Sequence, residues 1–319
     1  MIQKNVSIKK INLKDERFKI SFYDDLSLLK LSIKKFGLLH PPLLTVRNNE
    51  FIIISGWRRI LACRELKIEK IPVYLWEEKD DLKILLFKIY EYLIIKEELN
   101  FLEKAEILSK LLSFGMKKEE IIQNYLPLLK ISPSPYDLEI YLSLSKLNPL
   151  IKKAILKGDI SFQGARALAK FSLSDQEILL PFLIPLSSNY QKEFLINLYE
   201  ILKKEGITLK ELFSRSDLKE IIESKKFDKF EKAQKIREKI RSIKYPSYTA
   251  WKKFFEDWVK EIKLPRGVNI THDQFFEDEK LSLNIKFKNE KELEHILKKL
   301  EKICRSDKFR EYFKRKDEI

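Results

Sequence analysis

Chemistry in this chain is most readily assigned to Ser55, Gly56, Arg58 and Arg59, within the run Ser-Gly-Trp-Arg-Arg. They stand where a strand-like apolar run ends and a helical pattern begins. A glycine at such a junction lets a ligand come close to the backbone. The start of the helix offers free N–H groups and the positive end of its dipole, and two arginines can clamp phosphate oxygens. Ser55 adds a hydroxyl. The chemistry this implies is the binding of a pyrophosphate or triphosphate. A single Gly-x-Arg-Arg is short, however, and alone it fits an ordinary solvated arginine pair equally well. Metal chemistry has less support. The two cysteines, Cys63 and Cys304, have no ligand spacing and suggest no disulfide framework, and there are only three histidines.

Such residues need a scaffold, and the first 76 residues read as α/β. Residues 5–13 alternate and are expected as a strand. Residues 26–37 form a short amphipathic helix stopped by Gly37. Apolar runs at 42–46 and 51–54, a helix over 58–66 and a strand over 71–75 complete the unit. From 80 to about 171 the spacing is helical, with short helices over 117–125, 136–144, 149–156 and 161–171. Ser134 is the expected N-cap of the second of these, and Pro135 its first residue. Residues 281, 283, 285 and 287 then share one apolar face of a strand, followed by an amphipathic helix through 293–303. The expected class is α+β, mainly helical: a small α/β domain (1–79), a helical domain (80–175), a helical segment with a basic linker (176–244) and a small α+β domain (245–319).

Lys and Arg number 63 against 48 Asp and Glu, a net charge of +15. This favours a polyanionic partner such as nucleic acid, although a lysine-rich proteome gives the same excess. Residues 225–244 hold nine Lys/Arg against three Asp/Glu. They read as a basic linker helix or a solvated face. The aromatic cluster from Tyr245 to Trp258 has helical spacing and reads mainly as core or dimer interface. No apolar run approaches a membrane span and the start lacks a signal layout. A cytoplasmic, nucleoid-associated protein without a membrane partner is expected.

The order of the pieces over 37–75 resembles the N-terminal domain of the ParB partition family. That family's Gly-hydrophobic-hydrophobic-Gln-Pro stands here as Gly37-Leu38-Leu39-His40-Pro41. Its Gly-Glu-Arg-Arg stands as Gly56-Trp57-Arg58-Arg59, and Ile71-Pro72-Val73 closes the unit. The stretch 97–108 and the run Gly164-Ala165-Arg166-Ala167-Leu168 extend the resemblance over about residues 5–171. The resemblance implies binding of cytidine triphosphate (CTP), with the first motif near the base and the second around the phosphates. It also implies double-stranded DNA as partner, a homodimer, and a partner ATPase. Its Glu-Asn-x-x-Arg, of which the first two residues are the implied magnesium ligands and the arginine faces the nucleotide, falls on Tyr92, Leu93 and Lys96. A phenol and a hydrocarbon are poor substitutes for hard oxygen donors. Magnesium-assisted CTP hydrolysis is therefore expected to be weak or lost, and no metal ligand is assigned. The candidate nucleotide residues are Gly37, Leu38, His40, Pro41 and Ser55, together with Gly56, Trp57, Arg58, Arg59 and Lys96.

A helix-turn-helix needs two helices joined by a tight turn, the second bearing donors for base edges. Here residues 126–134 make a gap of nine between the expected helices, and the second helix carries Asp137 and Glu139 but no arginine. Phosphate contact rather than base reading is expected. Its candidate residues are Lys117, Lys118, Lys130, Ser132, Ser134 and Tyr136, with Gln163 and Arg166 on the later helix. Two other readings keep the fold: a DNA-associated regulator or adaptor without nucleotide turnover, and an enzyme such as a sulfiredoxin-like reductase or small-molecule kinase.

Overall fold

The computed structural model describes every residue except 23–24, 97, 273–279 and 317–319. Glu97, which opens the 97–108 stretch, lies outside the described residues. The chain divides into two compact units, Met1–Lys192 and Glu193–Ile319.

In the first unit, strands β1 (Ile2–Ser7), β2 (Ile11–Asn12), β3 (Leu43–Arg47), β4 (Glu50–Ser55) and β5 (Lys70–Leu75) form one sheet. Their order is β1-β5-β3-β4-β2. β3 and β4 are an antiparallel hairpin in which Arg47 faces Glu50. Asn48 and Asn49 turn it with φ of 50° and 63°, the left-handed pair that a two-residue hairpin turn requires. β5 runs parallel to β3, and β2 parallel to β4. The expected single strand over 5–13 is two strands, broken by a 3-10 turn at Ile8–Lys10. That turn lets β1 pair with β5 at one edge and β2 with β4 at the other.

β3 and β4 are buried on both faces, which is why they read as unbroken apolar runs. Leu44 and Ile53 pack with Val6, Ile71 and Val73, together with Ile33 of α1 (Ser27–Phe36) and Ile60 of α2 (Trp57–Glu65). Leu43, Ile52 and Ile54 face the other way. They pack on Ile84, Leu85 and Ile89 of α3 (Asp81–Ile95) and Ile107, Leu108 and Leu111 of α4 (Phe101–Ser113). The sheet and the helices after it therefore share a core. Asp80 caps α3, and Asn100 with Glu103 forms a capping box on α4.

The next helical stretch runs from Lys118 through a π-turn at Ile121–Tyr125 to Leu128. It is longer than expected, because the π-turn carries the helix on into Leu126–Leu128, with Pro127 in the first turn of that segment. Residues 129–134 then lead to the helix Pro135–Ser145, capped by Ser134 with Pro135 in its first turn. The connection is thus shorter than the nine residues expected, though longer than a tight turn.

The second unit is mainly helical. The helices Lys229–Lys244 and Pro246–Glu261 precede an antiparallel hairpin of Val268–Thr271 with Ser282–Ile285. Two helices follow, Glu290–Cys304 and Asp307–Lys316. Phe255 and Trp258 are core residues with Ile262, Ile270 and Tyr312, as expected of an aromatic run with helical spacing. The expected strand face at 281–287 is less covered: Leu283 and Phe287 are exposed. No helix among the described residues is long and apolar enough to cross a membrane.

Candidate functional site

Ser55 ends β4, and Gly56 follows as the N-cap of α2 with φ of 100°. A Cβ at Gly56 would lie 2.7 Å from Pro42 Cβ and 3.0 Å from Arg59 Nη2. Both the left-handed backbone and the lack of space therefore select glycine. Arg59 Nη1 donates to the carbonyl oxygens of His40 at 2.6 Å and Pro41 at 3.1 Å. This guanidinium thus bridges the Gly37–Pro41 segment and the Gly56 turn. Arg58, exposed, donates from Nη2 to the Asp25 carbonyl at 2.6 Å. Gly37 ends α1 with φ of 74°, Leu38 packs on the adjoining core, and the His40 side chain is exposed.

Trp57 is buried, with Lys19 Nζ 5.1 Å from its ring. Its Nε1 is the one buried side-chain polar atom without a hydrogen-bond partner among the described residues. An orphaned buried donor is costly. Ser55 is also buried, and leads to two residues that sequence reasoning missed. Its Oγ donates to Glu91 Oε1 at 3.0 Å and accepts from Lys88 Nζ at 3.1 Å. Lys88 pairs with Glu91 Oε2 at 2.6 Å. Burial pulls the Lys88 ammonium below the usual lysine value, Glu91 opposes that, and the charge of Arg59 adds to it. Arg59 is likewise lowered by burial and supported by Glu91. Lys88 and Glu91 lie one helical turn apart on α3, but a lysine and a glutamate at that spacing read as an ordinary surface pair. Only the sheet packed against it reveals where they point.

The positions implied to hold magnesium are otherwise engaged. The Tyr92 hydroxyl donates to Glu103 Oε1 at 2.7 Å, and Leu93 packs in the helical core. Lys96 Nζ reaches both Glu103 oxygens, at 2.7 and 2.6 Å, so Lys96 is directed to that fully buried carboxylate. Among the described residues no group of three or more His, Cys, Asp or Glu could hold a metal. The one carboxylate and one hydroxyl beside the turn are both bonded to Lys88, so an ammonium stands against the oxygen donors that a magnesium ion would take.

Alternative chemistries fare worse. Cys63 is buried and its thiol is pushed up by burial, the reverse of a reactive thiolate. Asp80 caps α3, Glu78 binds Lys83, and Asp81 binds Arg17 and Arg47. These three acids therefore serve structural contacts here.

On the helical domain, Lys117 precedes the first short helix and Lys118 pairs with Glu139 at 2.6 Å. Ser134 donates to Asp137 Oδ2 at 2.7 Å and caps its N–H. Both acids of the second helix are thus engaged by neighbours. Lys130 is a turn residue with φ of 56°, and the Ser132 carbonyl accepts from the Ser134 N–H. Arg166 donates to the Tyr136 hydroxyl and lies 5.4 Å over its ring. Of the candidate DNA residues, these two are brought together. Gln163 is exposed on the same short helix, Phe162–Leu168.

The end of β4, which delivers a left-handed glycine and two arginines to a helix start, belongs to an α/β domain joined to a helical domain. Residues 2–91 match the ParB N-terminal domain, and similarity to ParB-type partition proteins extends over about half of the chain. It is 30% identical over 167 residues to a probable chromosome-partitioning protein ParB of Chlamydia muridarum, covering 50% of this chain and 56% of that protein. It is 29% identical over 160 residues to a nucleoid occlusion protein of Listeria innocua, covering 49% and 53%. The chain therefore spans about half the length of the curated relatives it matches. A crystal structure of C-terminally truncated ParB from Caulobacter crescentus, complexed with CTP-gamma-S, aligns at 24% identity and a TM-score of 0.27, covering 58% of this chain and 99% of that one.

Proposed function

We propose that this chain is a partition-type DNA-binding protein whose N-terminal domain binds a nucleoside triphosphate, CTP by family resemblance. The observation that carries the reading is the bridge from Arg59 to the carbonyls of His40 and Pro41. It holds together the two segments that the resemblance assigns to base and phosphates. Gly56 leaves room for Pro42 and the Arg59 guanidinium to close on the turn, α2 contributes its N-terminal N–H groups, and Arg58 and Arg59 supply positive charge. The orphaned Trp57 Nε1 adds a donor.

Turnover is not part of this proposal. Tyr92 and Lys96 are committed to Glu103, which favours a binding switch or a DNA-associated adaptor over a metal-dependent hydrolase. The helical domain contacts duplex DNA through phosphates, with Arg166, Tyr136 and Gln163 as its contact residues. The protein acts as a homodimer, to which the exposed Leu283, Phe287 and Leu297 of the second unit offer an apolar face. Equilibrium binding of the four nucleoside triphosphates to the full chain tests the central point. CTP should bind tightest, and Arg59→Ala should weaken it by about 1.5–3 kcal/mol. Equal affinity in wild type and Arg59→Ala would remove the nucleotide from this turn.

A further inference from the structure

Directly behind the Gly56 turn lies a buried cation. Lys88 is 8% exposed. Its Nζ donates to Ser55 Oγ and Glu91 Oε2, and Ser55 Oγ donates in turn to Glu91 Oε1. The three side chains close a ring against the residue that precedes Gly56. The Tyr92 ring stands 5.6 Å from the same ammonium. A buried ammonium is costly unless paired, so this position is built to keep a positive charge in place.

A triphosphate brings several negative charges, and a divalent ion ordinarily offsets them where several oxygen donors converge. Around this turn the donors do not converge on an empty centre. They converge on an ammonium. One carboxylate and one hydroxyl hold it, Tyr92 is turned to Glu103, and Leu93 has nothing to offer. We infer that the Lys88 ammonium is a built-in counter-cation for a triphosphate at the Gly56 turn, so that nucleotide binds without a divalent metal. Two of its three N–H groups serve Ser55 and Glu91. This rests on the reading of the turn as a nucleotide site.

Calorimetric titration of the full chain with CTP, once in excess EDTA and once in excess magnesium, tests the inference. The two dissociation constants should agree within about threefold, and Lys88→Met should weaken binding in EDTA by about tenfold or more. Lys88→Arg, which keeps the charge, should restore most of the loss. Wild-type binding seen only with magnesium would overturn the inference and leave the nucleotide site standing. Absence of CTP binding in both buffers would overturn both. Unchanged EDTA binding by a Lys88→Met protein with a cooperative melt would also overturn it. If that variant does not fold, the wild-type comparison decides by itself.

Discussion

Arg59 stands at the junction of stability and binding. Its guanidinium is occupied by two backbone carbonyls, so it is an organiser of the loop as well as a source of charge. Gly56 is what lets it lie there, since any side chain at that position would meet both Pro42 and Arg59 itself. Gly56→Ala should therefore destabilise the chain by about 2 kcal/mol or more, from left-handed strain plus the clash with Pro42. A thermal melt checks this, and an unchanged melting temperature would mean that the turn relaxes freely. The glycine and both arginines were legible in the sequence because their types announce phosphate chemistry. Lys88 and Glu91 were not, because a lysine and a glutamate three apart on a helix are commonplace. Their significance comes from a strand that is remote in sequence. Trp57 stood out as a replaced residue, but its unpartnered N–H is a property of the packing alone.

At the scale of elements, the start of α3 is fixed to the sheet by Arg17 and Arg47, which both bind Asp81, at 2.7 and 2.5 Å. Arg17 also holds Asp15. Loss of the double acceptor in Asp81→Ala should cost about 2–3 kcal/mol in a denaturant titration. An effect near zero would show that α3 is held by its apolar face alone. The same network sets an acid limit. Burial alone would raise Asp15, but its bonds from Arg17 outweigh this and hold it below the ordinary carboxylate value. A folded-state pKa below the unfolded one gives stability that is present above the unfolded value and lost as pH falls through the folded one. Unfolding should therefore be easier at pH values below the usual carboxylate range, and less so in Asp15→Asn. The helices and central strands were readable from periodicity and from caps such as Ser134. Three features were not. The break between β1 and β2 depends on two strands pairing at opposite edges. The extension to Leu128 depends on a π-turn that no local pattern marks. The short, exposed strand at Ser282–Ile285 lacks the cover that its alternation suggested. Gly164 is explained by its surroundings too: a Cβ there would come 2.6 Å from Gln191 Oε1, which accepts from the Ser161 N–H and Oγ.

For the whole molecule, the net charge of +15 overstates the free basic surface. In the helix Lys229–Lys244, Arg237 is held by Glu193, Lys239 by Asp217 and Lys244 by Glu200, while Arg241 lies over the Tyr248 ring. Much of the basic stretch therefore holds the second unit together. Lys225, Lys226 and Lys229 are exposed beside it. Duplex binding should weaken steeply with salt, and reversing these three charges should lower affinity for all sequences alike, reducing the salt slope by about one for each phosphate that is no longer neutralised. Titration of random and genomic duplexes at two salt concentrations checks this; one tight site kept at high salt and abolished by mutating Pro135–Ser145 would mean that this helix reads bases. The central claim is narrower: the Gly37–Pro41 segment and the Gly56 turn together form a triphosphate site. Amide hydrogen exchange of the full chain with and without saturating CTP tests it most directly. The account predicts slowed exchange at residues 37–40 and 55–60, absent in Arg59→Ala. Protection confined to other segments, or none at saturation, would contradict it.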